Sequence, residues 1–500
     1  MVYRILGFIK TNWILILILL VGIFLRLYKI DRYMTFLGDE GRDAIIVRNL
    51  LVNFDPILIG PGTSVGSMYL GPLYYYFMAP FLFLSNFSPV GPAVGVALLG
   101  VATIYLVYLV GFKWFSKKAG LVSAALFAIS PTVITFSHSS WNPNIMPFFA
   151  LLSVYSIWKV WNNPPKGEVK NYRWLIVTAI TFAFVLNSHY LGIFLFPVLL
   201  LYWFLSKPKT YIQYTIYSIL VFLFLMSPLL IFDLHHDFLN SKAFYKFLTV
   251  RQETSISSPV SSISKIYPTF EQINSSLLVA KQEPVGKIVT IQIVIMVIWL
   301  IVKRKKTIQP FNNLTILLIW LISGLLGLGI YNQTIHDHYF GFLFPAPFLL
   351  VGFLLSKIYD SKYKILAVLI FVFLVILNLK SNPLTKNPNN QMQRAKNVSE
   401  KVLEIAEGKP FDLAVLAERN YEDGYRYFME VAGAQVMHAD RWDQKTIVDN
   451  LIVICEKPKK ECDPTHSPKA EVANFGMSKI DSDFEVDGVI IYKLIHNYPN

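Results

Sequence analysis

Cysteine is nearly missing: 500 residues hold two, Cys455 and Cys462, both near the C-terminus. Two are too few for a scaffold built on disulfides, and they do not have the spacing of a metal site. Charge is scarce too, at 15% of the chain against 54% apolar residues, 15% aromatic residues and a mean hydropathy of +0.48. That balance excludes a soluble globule. The first apolar run has no small-residue cleavage site behind it, so it reads as a retained span and not as a removable signal peptide. Low-complexity tracts and convincing internal repeats are absent as well. The net charge of +13 does not point to nucleic acid, because it is divided among short clusters between apolar runs.

What is present is a series of apolar runs. "WILILILLVGIFL" (13–25) and "IVTIQIVIMVIWLIV" (288–302) approach the ~20 residues that cross a hydrocarbon core. Lys and Arg gather at 1–10, 113–118, 159–173, 207–209, 303–306 and 357–364, and they are missing from "SHSSWNPN" (137–144), "NSHY" (187–190) and "YNQTIHDH" (331–338). Basic loops stay in the cytoplasm. The alternation is complete with eleven spans, near 13–30, 91–112, 119–137, 144–161, 173–187, 190–206, 211–231, 286–302, 311–330, 339–356 and 363–380.

This arrangement needs "GPLYYYFMAPFLFLSNF" (71–87) not to cross, and its aromatics and prolines suit an interfacial or re-entrant helix. The fold class is then a polytopic α-helical membrane protein with its N-terminus in the cytoplasm. Its long outer segments are 31–90 and 232–285, and an outer tail begins near 381. The expected organisation is a membrane domain over 1–380, an Asn- and Pro-rich linker at 381–391 and a small α/β domain over 392–500. In the tail, "QRAKNVSEKVLEIAEG" reads as an amphipathic helix and "GYRYFMEVAGA" as a second helix. "DLAVLAE", "NLIVICE" and "GVIIYKLI" read as mostly buried strands. In an oxidising compartment Cys455 and Cys462 could pair.

Against so little charge, "FLGDEGRDAIIVRNLL" (36–51) is an anomaly, with Asp39, Glu40, Arg42 and Asp43 within five residues just beyond the first span. The bland account makes Asp39 the N-cap of the helix that follows. That explains one acid of three, and a capping box would need Glu or Gln where Arg42 stands. Asp43 falls one turn after Asp39, so a metal, Arg42 or a substrate must hold the like charges together. Such pairing also raises a carboxylate toward the range of a general base.

"FLRLYKIDRYMTFLGDEGRDA" (24–44), "GPLYYYFMAPF" (71–81), "AGLVSAALFAISPTVITFSHSSWNPN" (119–144) and "HDHYFGFLFPAPFLL" (336–350) together resemble the membrane-embedded GT-C glycosyltransferases. The nearest likeness is to protein O-mannosyltransferases and the lipid A aminoarabinose transferase, and it extends loosely over residues 13–360. Where that family has an Arg or an acid in its second outer loop this chain has His138 and asparagines, and the usual Arg-Tyr of the late span is His338-Tyr339.

The resemblance implies a polyprenyl-phosphate sugar donor, an acceptor that is lipid, glycan or protein, and inverting transfer at the outer face of the plasma membrane. Its implied catalytic residues are Asp39, as the base that takes the acceptor's proton, and Glu40. Glu40 points about 100° away on a helix and so orients a partner or closes the loop. The leaving lipid phosphate needs cations, for which Arg42, His138, His189, Arg251, Lys287, His336 and His338 are candidates; Asp43 and Tyr339 complete the expected binding set. A divalent cation is allowed but not required, since two histidines three apart are weak metal evidence. Arg26 reads as a snorkelling residue, and Tyr74, Tyr75 and Tyr76 read as packing. A transporter or flippase is the rival class, disfavoured because the ionisable groups lie at span ends and not at the bilayer midplane.

Overall fold

A computed structural model of the chain describes residues 2–63, 68–162, 171–207, 211–249, 259–303, 313–331, 334–438, 440, 443 and 446–497. Arg251 and the basic stretches at 163–170 and 304–306 lie outside them. Each of the eleven expected segments carries a helix. Among the described residues, five helices are long and apolar enough to cross a membrane: Lys10–Leu27, Val90–Trp114, Ile212–His235, Glu283–Val302 and Asn313–Ile330. Two bent pairs, Lys117–Ile129 with Pro131–Ser137 and Asp337–Leu343 with Pro345–Tyr359, bring the number to seven if each is one span.

Proline accounts for part of the difference from eleven; Trp174–Ser188 and Lys364–Lys380 hold none and are short, at 15 and 17 residues. A proline in the first turn of a helix is tolerated, but it breaks any helix arriving from before it. Pro131 and Pro345 accordingly bend their pairs by 63° and 57°. At Pro147 and Pro197 a short 3₁₀ segment, Asn142–Ile145 or Tyr190–Leu195, precedes the helix and takes up part of the run. What remains, Met146–Trp161 and Phe196–Leu205, is short.

The bundle is built inside out, as a lipid-facing protein is. Only 6% of the apolar Ile212–His235 window is buried, and Phe224 is 74% exposed. Inside, Phe127, Trp320, Phe342 and Phe348 share one apolar core. Leu73–Leu84, inside the segment expected not to cross, is a helix of 12 residues, about 18 Å long against a hydrocarbon core of about 30 Å. Its Tyr74, Tyr75, Met78 and Leu82 are buried.

The tail is a five-stranded sheet in the order β2-β1-β3-β5-β4. The strands are β1 (Phe411–Leu416), β2 (Val436–Met437), β3 (Asn450–Cys455), β4 (Ser478–Val486) and β5 (Val489–His496). β1 runs parallel to β2 and to β3, while β5 is antiparallel to β3 and β4. Helix Asp423–Val431 crosses from β1 to β2, and helix Gln391–Ala406 leads into the sheet. The three apolar segments read as strands are β1, β3 and β5. β2 is too short to leave a pattern, and β4, "SKIDSDFEV", is a polar edge strand with no apolar run to betray it. Cys455, on β3, is disulfide-bonded to Cys462.

The tail is packed against the membrane part and does not hang from it. Met34, Phe36, Val47, Tyr74 and Tyr75 share one apolar core with Val398, Tyr425, Tyr427, Ile452 and Ile491. Segment 381–391 is tied down as well: Tyr33 donates its hydroxyl to the Lys386 carbonyl at 3.0 Å, and the Asn390 N–H donates to the Arg32 carbonyl at 3.0 Å. This packing brings the chain leaving β1 onto the acid cluster.

Candidate active site

Helix Gly38–Asn53 starts one residue before Asp39, so Asp39 is not its N-cap; Leu37 is. Glu40 supplies the cap. Its Oε2 accepts the Leu37 N–H at 3.1 Å and its Oε1 accepts the Ser139 hydroxyl at 2.8 Å. Both oxygens are thus engaged, and Glu40 ties the first outer segment to the loop after Ser137. Burial pushes its carboxyl up to about 7. Two acids in the first turn also suit the positive end of the helix dipole.

Of the three ways to hold Asp39 beside Asp43, the structure uses Arg42. Its Nη1 lies 2.9 Å from Asp39 Oδ1 and its Nη2 lies 2.8 Å from Asp43 Oδ1. Asp43 is fully buried and accepts the Tyr75 hydroxyl at 3.0 Å. Burial pushes this carboxyl up to about 6. Asp39 is 44% exposed. Its Oδ1 also accepts the Tyr421 hydroxyl at 2.5 Å, and its Oδ2 has no partner among the described residues. A carboxylate with one oxygen fixed by two donors and the other open is oriented without being used up, which is what a general base requires.

Two glycines allow the tail this close. A Cβ on Gly38 would stand 2.5 Å from the Tyr421 ring, and one on Gly41 would stand 2.3 Å from the Asp423 carbonyl oxygen. The Gly38 N–H donates to Asn420 Oδ1 at 2.9 Å, so the first turn of the site helix is closed by a side chain from the tail. Between them lies a cleft of about 250 Å³ lined by Asp39, Thr135, Ser139, Trp141, Arg419 and Tyr421.

Trp141 links this cleft to a second group. Its ring centroid is 4.5 Å from that of His338, which lies 4.5 Å from Tyr339, 5.8 Å from His336 and 6.0 Å from His189. Asp39 is within electrostatic reach of His338. Among the described residues no three His, Cys, Asp or Glu side chains are grouped to hold a metal ion. Asp337, the acid between the two histidines, is paired instead with Lys281 at 2.7 Å. The described residues thus offer no cluster that fits a metal, and no step below is routed through one.

Residues 70–232 match the family model described as dolichyl-phosphate-mannose-protein mannosyltransferase. The fold of the whole chain is that of ArnT from Cupriavidus metallidurans, whose crystal structure holds undecaprenyl phosphate: the TM-score is 0.63 at 12% identity, over 97% of this chain and 98% of that one. The chain is thus similar to that family over a third of its length and shares the ArnT fold over nearly all of it. AglB from Archaeoglobus fulgidus, an oligosaccharyltransferase solved with an inhibitory peptide and a dolichol-phosphate, gives a TM-score of 0.58 at 13% identity over 89% of this chain and 70% of its own. No curated protein sequence matches the chain. At such identities the likeness is one of fold.

On this ArnT-like fold Asp39, Glu40, Arg42 and Asp43 stand together, and His189, His336, His338 and Tyr339 form the neighbouring group. His138 stands apart. It is buried with Nε2 3.0 Å from the Leu25 carbonyl, turned toward the end of the first helix and not into the cleft. Arg26 does not snorkel. It is fully buried and donates to the carbonyls of Gly22, Phe127 and Ala128, two of which lie at the C-terminal end of Lys117–Ile129, where helix carbonyls lack partners. Lys287 lines a separate polar pocket with Lys281 and Asp337. Tyr74 bonds Ser140 at 2.7 Å, so it and Tyr75 support the site through their hydroxyls as well as by packing.

Sequence reasoning did not find Arg419, Asn420 and Tyr421. Their one signal is position: a short polar stretch at the carboxyl end of a buried parallel strand, where α/β sheets gather binding residues.

Proposed function

We propose that the chain is an integral membrane glycosyltransferase that moves a sugar from a polyprenyl-phosphate donor to an acceptor hydroxyl at the outer face of the membrane. Asp39 is the general base and the anomeric centre is inverted. The observation that carries this reading is the Asp39 carboxylate itself, oriented through Oδ1 by Arg42 and Tyr421 and open at Oδ2, on a cleft of a GT-C fold. The acceptor oxygen attacks the anomeric carbon while Oδ2 takes its proton, and the bond to the phosphate oxygen breaks with its electron pair leaving on the lipid phosphate. The lipid phosphates held by ArnT and AglB support a donor of this class. Glu40 and Asp43 hold the loop, and His189, His336, His338 and Tyr339 line the substrate side.

The same reading places eleven spans over 1–380, a linker at 381–391 and the 392–500 domain outside, with the N-terminus in the cytoplasm. The positions of Lys and Arg support that orientation, and a Cys455–Cys462 disulfide suits an oxidising compartment. The test is to supply the full chain in lipid nanodiscs with radiolabelled polyprenyl-phosphate hexoses and a cell-envelope extract as acceptor. Transfer of label with stoichiometric release of polyprenyl phosphate is expected. Failure to bind or turn over any of these donors overturns the reading in favour of a transporter.

A further inference from the structure

A lipid phosphate leaving a sugar gains negative charge, and a cation must meet it. The cation beside Asp39 is committed: Arg42 is held by Asp39 and Asp43. Arg419 is different. It lines the Asp39 cleft, is exposed, and has no acid partner among the described residues. It belongs to the tail, in the chain that leaves the carboxyl end of β1 beside parallel β3.

The neighbours of Arg419 are fixed. Asn420 Oδ1 takes the Gly38 N–H at 2.9 Å while its Nδ2 donates to Glu456 at 2.5 Å. Glu456, directly after β3, also accepts the Tyr425 hydroxyl at 2.8 Å, and its N–H donates to the Leu416 carbonyl at 3.0 Å. The backbone that carries Arg419 is thus clamped to the site helix on one side and to the sheet on the other. A guanidinium is the side chain best matched to phosphate, since its fork offers two parallel donors.

We propose that Arg419 binds the phosphate of the polyprenyl-phosphate donor, so that the tail domain completes the active site and does not merely cap the membrane domain. This rests on the glycosyltransferase reading above. When the anomeric carbon–oxygen bond breaks, the electron pair stays on the phosphate oxygen facing Arg419, and the acceptor's proton passes to Asp39. Nothing else is consumed.

The experiment measures binding of undecaprenyl phosphate, undecaprenol and inorganic phosphate to the full chain in nanodiscs, for wild type, Arg419→Ala and Arg419→Lys. Arg419→Ala is expected to weaken undecaprenyl phosphate about 10- to 100-fold and leave undecaprenol unchanged, with Arg419→Lys recovering part of the loss. With a donor that turns over, kcat is expected to fall more than KM rises, because the charge grows toward the transition state. Equal undecaprenyl phosphate affinity in wild type and Arg419→Ala overturns the assignment and leaves the glycosyltransferase reading standing. An equal loss for undecaprenol means general damage and overturns it too. Inorganic phosphate binding as tightly as the lipid overturns the lipid headgroup as ligand. If wild type binds no undecaprenyl phosphate and turns over no donor, the functional reading fails and this inference with it.

Discussion

Substituting Gly41 by alanine tests the contact between tail and site helix without touching a reacting group. In an isolated helix this change stabilises by about 0.5–1 kcal/mol. Here the new Cβ would stand 2.3 Å from the Asp423 carbonyl oxygen, 2.4 Å from its carbon and 2.5 Å from the Gly424 nitrogen. Comfortable contact needs about 3.5 Å, so the two helices must part by about 1 Å. The opposing atoms are backbone, fixed by the bonds from the N–H groups of Tyr425 and Arg426 to the Glu422 carbonyl, and cannot rotate aside as a side chain would. Overpacking of this kind costs about 1–3 kcal/mol, which outweighs the helix gain. A parting of about 1 Å also breaks the 2.5 Å bond from Tyr421 to Asp39, and a displacement of that size at a reacting group reduces turnover by roughly 100-fold. The assay pairs sugar transfer with hydrogen exchange over Gly38–Asn53 and Asp423–Val431. Expected are faster exchange in both helices and a large loss of turnover with donor binding weakened. A Gly41→Ala protein with raised melting temperature and full turnover would refute the reasoning.

Three further outcomes are expected. Burial holds the Glu40 carboxyl at about 7 against an ordinary value of 4.5, so the folded state binds the proton more tightly than the unfolded one. Glu40's contribution to stability should therefore fall as pH rises from about 4.5 to 7 and level off above; the stability difference between wild type and Glu40→Gln in thermal unfolding should change across that window, while Asp43 and Asp423, both raised to about 6, titrate in both proteins. Reducing the Cys455–Cys462 disulfide, or replacing Cys462 by serine, should destabilise the tail by roughly 2–3 kcal/mol through the short loop it closes, read by denaturant unfolding of the tail's near-ultraviolet signal. His138→Ala should lower thermal stability with kcat/KM nearly unchanged, because its ring is bonded to the Leu25 carbonyl, whereas His338→Ala should lower kcat/KM with stability nearly unchanged. Equal kinetic losses in the two would contradict the placement of these histidines.

The membrane class and the helical segments were legible because apolar length and basic-loop position act locally along the chain. Crossing lengths were less so, since Pro131 and Pro345 break runs that hydropathy alone joins. The role of Glu40 as a tie could be read from its direction on the helix, but its partner Ser139 could not. Arg26 carried a misleading signal: a basic residue at a span end reads as exposed, and only the packed bundle places it under the carbonyls of Phe127 and Ala128. Tyr421 and Arg419 lie some 380 residues from Asp39 along the chain. Contacts at that separation leave no periodic trace in one sequence, and it took the shared core of tail and first outer segment to bring them together.

The central claim is that Asp39 removes the acceptor's proton. Asparagine at 39 keeps an oxygen for the hydrogen bonds from Arg42 and Tyr421 but removes the basicity, so the most direct measurement is sugar transfer by Asp39→Asn in nanodiscs, followed beside donor binding. The account predicts transfer lowered by about 100- to 10,000-fold with binding of the polyprenyl-phosphate sugar retained. Transfer at the wild-type rate by Asp39→Asn would contradict it.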